Sequence, residues 1–351
     1  MLGLEEQKTG ELRVVFGSDN APISSRPWTL VTGGLGFIGS HLVESLLGDG
    51  VPVLALDNLD KSTYNPMLRL ENLSILSKLA RSKGTAFRFI LGDTHNRPLI
   101  KTIFSANAVG CIVDLAARAG VRPSLLDPVG YIQANVEGFV SLLAEAKEAG
   151  VRKVVYVSSS SVYGNKPGRF FEDDPELNPG SPYGMSKLMA ERFFALYARL
   201  YGLSGIVLRP FTVYGPRQRP EMAIHKFLNQ LLHDRPLTIF GDGSMRRDFT
   251  HVLDVVAGIR GAIELSIQPG VVQTYNLGTS HPVSLFALIE ALEEATNKKA
   301  DVRLVPAPPG ELFQTWADIK KAREQLGYYP KVGLKEGLSD FVRWYNKRVN
   351  P

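Results

Sequence analysis

Three clusters of residues have types and spacings suited to chemistry. The first is Thr32-Gly33-Gly34-Leu35-Gly36-Phe37-Ile38-Gly39, a G-x-x-G-x-x-G turn that follows an apolar stretch (28–32) and opens a segment of helical period. Glycines let a backbone approach a pyrophosphate closely, and a helix N-terminus offers that anion unpaired N–H groups. The next apolar stretch ends in Asp57, eighteen residues past Gly39. A carboxylate there accepts hydrogen bonds from both ribose hydroxyls and repels a 2′-phosphate, which favours NAD over NADP. With 33 glycines in 351 residues, such a spacing arises by chance about 0.3 times in a chain of this length. The order strand, turn, helix, strand therefore carries this reading; glycines that merely permit tight helix–sheet packing are its alternative.

The second cluster is Tyr183-Gly184-Met185-Ser186-Lys187 at the start of a long helical pattern. Four residues of helix turn through about 400° and rise about 6 Å, so phenol and ammonium share one face. A cation held there favours phenolate and makes tyrosine a usable base near neutral pH. The third cluster is Ser158-Ser159-Ser160-Ser161-Val162-Tyr163-Gly164, directly after the apolar stretch 151–157. Hydroxyls at the carboxyl end of a parallel strand stand where open α/β sheets place their ligands, although serines there also cap turns. Together the three clusters fit one site, in which a serine holds a substrate hydroxyl, the tyrosine takes its proton, and a hydride leaves carbon for the cofactor.

The elements that must position these groups are legible as alternating patterns. Continuous apolar stretches at 28–32, 51–57, 86–93, 111–117, 151–160 and 205–210 alternate with segments of helical period at 37–47, 99–104, 130–149 and 183–200. Continuous rather than alternating hydrophobicity marks strands buried on both faces, the pattern of a parallel sheet wrapped by helices. The expected fold is α/β, a doubly wound parallel (Rossmann) sheet with a smaller C-terminal α/β substrate-binding lobe. Residues 1–26 read as a tail or strap. Residues 27–210 read as the NAD-binding domain, with an excursion to the substrate lobe near 165–182, and 211–351 as mainly the substrate lobe. In that lobe, strands are expected at 237–240, 273–278 and 302–306 and helices near 222–233, 284–295 and 335–347, with a Pro-rich turn at 306–311.

Composition narrows the class. Hydrophobic residues make up 44 % and charged residues 21 % of the chain, an ordinary globular balance. No apolar run reaches the ~18 residues of a spanning helix, and the start MLGLEEQKTG lacks the plan of a secretory signal, so no membrane association and a cytoplasmic setting are expected. The net charge of +5 comes from 40 basic and 35 acidic residues interspersed without long like-charge runs; no nucleic-acid partner is expected. One cysteine, Cys111, excludes an intramolecular disulfide, and six histidines without an HExxH pattern make a metal site unexpected.

The order TGGLGFIG, LDN, LAA, SSSSVYG, YGMSK and LRPFTVYGPR resembles the extended short-chain dehydrogenase/reductase family, and within it the nucleotide-sugar 4-epimerases; the resemblance covers residues 28 to about 347. It implies Ser159, Tyr183 and Lys187 as catalytic residues, with Ser160 beside the sugar. It implies an NAD site built from Gly33, Gly36, Phe37, Ile38, Gly39, Asp57, Asn58, Asp93 near the adenine, Leu115, Ala116, Ala117, Tyr183, Lys187 and Pro210. A homodimer through the helices near 130–149 and 183–200 is a further expectation of the family.

Within that family, dehydratases and uronate decarboxylases carry an acidic residue just before Val-Tyr-Gly, where this chain has Ser161. The stretches Ala119–Ser124 and Phe211–Ala223 are most similar to the UDP-glucuronate 4-epimerases. The resemblance then implies Thr212 and Arg219 at the sugar, with Arg219 clamping the uronate carboxylate, and Arg247 at the diphosphate of a UDP-sugar. Arg217 and Arg219 as solvated or diphosphate-binding residues stay open. So do UDP-glucose or UDP-N-acetylglucosamine as the sugar and, in another class, a non-catalytic NAD(H)-binding sensor. The loop Pro308-Pro309-Gly310-Glu311 departs from the family and no residue is carried over from it.

Overall fold

The computed structural model describes residues 14–17, 26–62, 64–306 and 313–349. The chain runs through β1 (Val14–Gly17), β2 (Trp28–Thr32), α1 (Phe37–Gly48), β3 (Val53–Asp57), α2 (Met67–Lys83), β4 (Phe87–Leu91), α3 (Arg97–Ala106) and β5 (Val109–Asp114). Then come α4 (Val121–Leu126), α5 (Pro128–Ile132), a π-helical segment (Gln133–Glu137), α6 (Gly138–Glu148) and β6 (Lys153–Val157). A 3-10 turn (Ser160–Tyr163), α7 (Pro182–Tyr201), β7 (Ser204–Pro210), β8 (Thr212–Tyr214), α8 (Ala223–Leu232) and β9 (Leu237–Phe240) follow. The remainder is β10 (Arg246–Arg247), β11 (Phe249–His251), α9 (Val252–Glu264), β12 (Val272–Leu277), β13 (Val283–Ser284), α10 (Leu285–Thr296), β14 (Val302–Val305), α11 (Lys320–Leu326) and α12 (Leu334–Val349). These elements form two compact units. One takes the described residues up to 158 with 181–208 and 262–274; the other takes 159–180, 209–261 and 275–349.

The first unit is built on a sheet in the order β1-β4-β3-β2-β5-β6-β7-β12. From β4 to β7 every neighbouring pair is parallel. β12 continues the pattern, since Gly205 donates to Val271 and Phe211 to Leu277 with the same offset at both ends. Leu30, Leu54, Ile112, Val154 and Val207, from five adjacent strands, pack on Ile100 and Ile103 of α3, Phe139 and Leu142 of α6 and Phe194 of α7. Alternate residues Val31, Ala55 and Val113 are also fully buried, and α1 and α2 lie against β2, β3 and β4. Burial on both faces is why these strands read as unbroken apolar runs. From β2 the chain winds outward through β3 and β4, then returns to β5 and winds the other way. The reversal sets the turn after β2 beside the segment after β5, at the carboxyl edge of the sheet where such folds bind ligands.

In the second unit β8 pairs with β11 and β9 with β14, both in parallel, and β10 pairs with β13 antiparallel. Its core is formed by Phe227 and Leu228 of α8, Leu237 and Ile239 of β9, Leu288 and Leu292 of α10 and Leu338 and Phe341 of α12.

Within residues 1–26, read as a tail or strap, β1 pairs antiparallel with β4 and covers that edge of the sheet; its four residues are too few to show a period. Two expectations need correction. The segment 130–149 is not one α-helix, because the wider π turn interrupts it at Gln133–Glu137. The strand expected at 273–278 in the smaller lobe is β12, an edge strand of the large sheet; a short apolar run does not reveal which sheet it joins. The loop 308–311 lies outside the described residues.

Candidate active site

The glycine turn is shaped by backbone contacts that exclude side chains. Gly33 has φ +62°, and a Cβ on it would stand 2.9 Å from the Leu115 carbonyl carbon. A Cβ on Gly39 would stand 2.1 Å from the Gly33 carbonyl oxygen. Both are far inside van der Waals contact, so the turn folds tightly enough only with glycine. The Thr32 hydroxyl ties this turn to the segment after β5, accepting from the amides of Leu115 (3.2 Å) and Ala116 (3.1 Å) and donating to Asp114 at 2.5 Å.

At the end of β3, Asp57 is buried and accepts from the amides of Leu35 (3.2 Å) and Leu59 (3.0 Å), with Arg69 at 3.7 Å. Burial pushes its carboxyl up, against the pull of Arg69 and the two amides. The Asn58 side-chain amide donates to the Asp93 carboxylate at 2.6 Å, so the ends of β3 and β4 are joined. The first unit thus brings Gly33, Gly36, Phe37, Ile38, Gly39, Asp57, Asn58, Asp93, Leu115, Ala116 and Ala117 to the carboxyl ends of β2 to β5.

Helix α7 starts where a Ser-Pro pair should start one. Ser181 caps it, accepting from the Gly184 amide at 3.1 Å, and Pro182 takes the first turn. Tyr183 is half-buried, its ring edge-on to Tyr131 at 6.1 Å. One turn on, Lys187 is 2 % exposed. Its Nζ donates to the Val157 carbonyl at 2.8 Å and sits 4.7 Å from the Tyr156 ring centroid. Burial pulls the ammonium down to about 8, while Asp114 and Glu191 hold it up.

In the second unit Ser159 caps the 3-10 turn, accepting from the Ser161 amide at 3.1 Å and donating to the Ser161 hydroxyl at 3.1 Å. Ser159 and Ser160 are both buried. Tyr163 is structural: its hydroxyl donates to Asn276 (2.7 Å) and accepts from Arg209 (3.0 Å). Pro210 ends β7 and Thr212 opens β8, its amide donating to the Asp248 carbonyl at 3.0 Å. Arg219 pairs with Glu221 at 3.0 Å. Arg247 donates to the Arg246 carbonyl at 3.0 Å.

Two organising residues escape a sequence reading. Asp248, fully buried, accepts from the Thr279 amide and hydroxyl (both 2.7 Å), the Ser280 amide (2.9 Å) and the Ala317 amide (3.1 Å). Asn135, in the π segment, accepts from the Arg118 amide (2.8 Å) and donates to the Arg118 carbonyl (3.0 Å) and the Ser186 hydroxyl (2.9 Å). It thereby fastens the loop after β5 to the helix turn between Tyr183 and Lys187. Its one signal in the sequence is an amide, a poor helix former, in the middle of a helical pattern.

The NAD dependent epimerase/dehydratase family model matches residues 29–278. The chain belongs to that family. It is 39% identical to the UDP-glucuronate 4-epimerase of Thermodesulfobacterium geofontis over 91% of this chain and 96% of that protein. The crystal structure of a Bacillus cereus UDP-glucuronic acid 4-epimerase in complex with UDP-glucuronic acid and NAD superposes with a TM-score of 0.84 at 36% identity, covering 92% of this chain and 99% of the other. A Thermotoga maritima UDP-glucose 4-epimerase solved with UDP-glucose gives a TM-score of 0.82 at 32% identity, over 92% and 100% of the two chains. Among the described residues no helix is long and apolar enough to cross a membrane, and no cluster of His, Cys, Asp and Glu could hold a metal ion.

The Asn135 contacts give a test of the latch. Asn135→Ala leaves both polar groups of the Arg118 backbone without this partner and should lower the unfolding free energy by about 1–3 kcal/mol in urea titrations. Asn135→Asp should recover little, because two of the three bonds need the NH2 donor. A loss below about 0.5 kcal/mol, the scale of a neutral surface substitution, would show that the π segment holds itself in place.

Proposed function

We propose that this chain is an NAD-dependent UDP-sugar 4-epimerase that interconverts UDP-glucuronate and UDP-galacturonate through a 4-keto intermediate. The observation that carries the reading is the pairing of a close-packed glycine turn with a buried Lys187 one helical turn beyond Tyr183, in a chain similar over its length to UDP-glucuronate 4-epimerases. A glycine turn between the end of β2 and the N-terminus of α1, followed by a buried carboxylate at Asp57, fits a dinucleotide; Gly33, Gly36 and Gly39 would face its pyrophosphate and Asp57 its ribose. When bound, NAD would supply the hydride acceptor and donor for C4.

Tyr183 takes the proton from O4 as C4 is oxidised and returns one to it as the ketone is reduced. Lys187, a cation at the same helix face, favours the phenolate and so lets tyrosine work near neutral pH. Ser159 orients O4, and Ser160 and Thr212 flank the sugar. Arg247 holds the diphosphate while the keto-sugar turns over. Arg219 binds the C6 carboxylate, exchanging Glu221 for the substrate's own carboxylate. That clamp has a chemical purpose, because a 4-keto uronate is a β-keto acid and loses CO2 once its C5–C6 bond aligns with the carbonyl π-system.

A homodimer is part of the proposal. Leu126 is 89% exposed and Val129, Ile132, Phe193, Leu196 and Leu200 are also solvent-facing. These exposed apolar side chains on α4, α5 and α7 support an interface on that face. A cytoplasmic setting accords with the single thiol, Cys111, which is buried and free.

The purified protein, incubated without added cofactor, should convert UDP-glucuronate to UDP-galacturonate, resolved by anion-exchange chromatography; conversion of UDP-glucose alone would transfer the activity to the neutral sugar. Arg219→Gln should reduce kcat/KM for UDP-glucuronate by roughly 10- to 100-fold, as expected for losing a charged hydrogen-bond pair, and that for UDP-glucose far less. Equal losses would refute the clamp. In light scattering the protein should have twice the chain mass and Leu200→Glu half of that, whereas a monomeric wild type would remove the dimer.

A further inference from the structure

Beneath the Tyr183–Lys187 pair lies a buried carboxylate to which the proposed reaction assigns no task. Asp114 ends β5 and is 1 % exposed. Its Oδ1 accepts from the Thr32 hydroxyl at 2.5 Å, whereas its Oδ2 is buried and accepts no hydrogen bond from the described residues. Asp114 is register partner to Tyr156 on β6, and in a parallel pair such partners put their side chains on the same face. The Tyr156 ring carries the Lys187 ammonium at 4.7 Å, and the Tyr156 hydroxyl is likewise buried without a partner among the described residues. Asp114, Tyr156 and Lys187 therefore occupy one low-dielectric space between β5, β6 and α7. A carboxylate so placed, with one oxygen lacking a donor, is destabilising by itself and offset only by a nearby cation.

We propose that Asp114 is a positioning residue for Lys187: anchored by Thr32, its carboxylate is the buried counter-ion that keeps the ammonium charged beside Tyr183. The proposal rests on reading Tyr183 and Lys187 as the catalytic pair. The charged and titratable groups facing this space are Lys187, Glu191 and Tyr183 from α7 and Tyr156 from β6; Thr32 faces it from β2. Glu191 accepts from the Ser158 hydroxyl at 2.5 Å; Asp114 differs from it in having a second oxygen that is buried without a hydrogen-bond partner among the described residues. The direction of the titrations agrees. Burial raises the Asp114 carboxyl to about 6, with Thr32 and Lys187 pulling it down. Asp114 is in turn the largest influence holding the Lys187 ammonium up against burial.

Above about 6 Asp114 is ionised and supports the ammonium. In Asp114→Asn the ammonium loses that support while the amide still accepts from Thr32, so the Lys187 titration should move to lower pH by about one unit or more. Protein labelled with [13Cε]lysine tests this directly, the Lys187 resonance being the one missing from Lys187→Arg. In the wild type this resonance should also show a small step near pH 6 as Asp114 ionises. The alkaline limb of the kcat/KM profile for UDP-glucuronate should shift with the Lys187 midpoint, whereas a merely structural role would lower the whole profile without moving its limb. An unmoved Lys187 midpoint in Asp114→Asn overturns the proposal and leaves the catalytic pair intact. Should that variant not fold, the step near pH 6 in the wild type decides: its presence supports the pairing and its absence overturns it. Full turnover by Lys187→Met is the distinct result that would overturn the catalytic reading on which the proposal stands.

Discussion

A lysine side chain that is 2 % exposed has exchanged water for protein, and an ammonium in that position must be held by something charged or polar. Lys187 is held from three directions: the Val157 carbonyl at 2.8 Å, the Tyr156 ring face, and the fields of Asp114 and Glu191. Each holder comes from the core of the first unit, at the carboxyl ends of β5 and β6 or from α7 itself. The position of this face of α7 is thus coupled to the sheet. Removing Asp114 or Glu191 would make the Lys187 ammonium easier to deprotonate.

The same constraint explains why the unit is so closely built at its carboxyl edge. Thr32 receives two amides and donates to Asp114, joining the glycine turn after β2 to the segment after β5. Asn135 then joins the loop after β5 to Ser186 on α7. Hydrogen bonds at Thr32 and Asn135, joined by the backbone of residues 115–118, thus connect the glycine turn to α7. Geometry of this kind fixes reacting groups through rigid elements rather than through mobile loops.

Much of this was legible in the sequence, because the physics involved is local. Strands buried on both faces write themselves as apolar runs, and the glycine turn needs conformations and close approaches that only glycine gives. What stayed hidden depends on partners distant in the chain. Asn135 reads as a weak spot in a helix until Arg118 and Ser186 are found beside it. Asp114 reads as one polar residue at the end of an apolar run until its register with Tyr156 places it near Lys187. Asp248 holds the segments at 279–280 and 317, a role with no local signature. β12 was misplaced for the same reason, since strand neighbours are a property of topology and not of hydropathy.

In the proposed reaction C4 of the sugar is oxidised and then reduced within one closed event, with Tyr183 handling the proton and the carboxylate retained. UDP-glucuronate deuterated at C4 tests this most directly. Turned over in ordinary water, it should give UDP-galacturonate that keeps deuterium at C4, as read by NMR and mass spectrometry. Product with hydrogen at C4, or a pentose product that has lost CO2, would contradict the account.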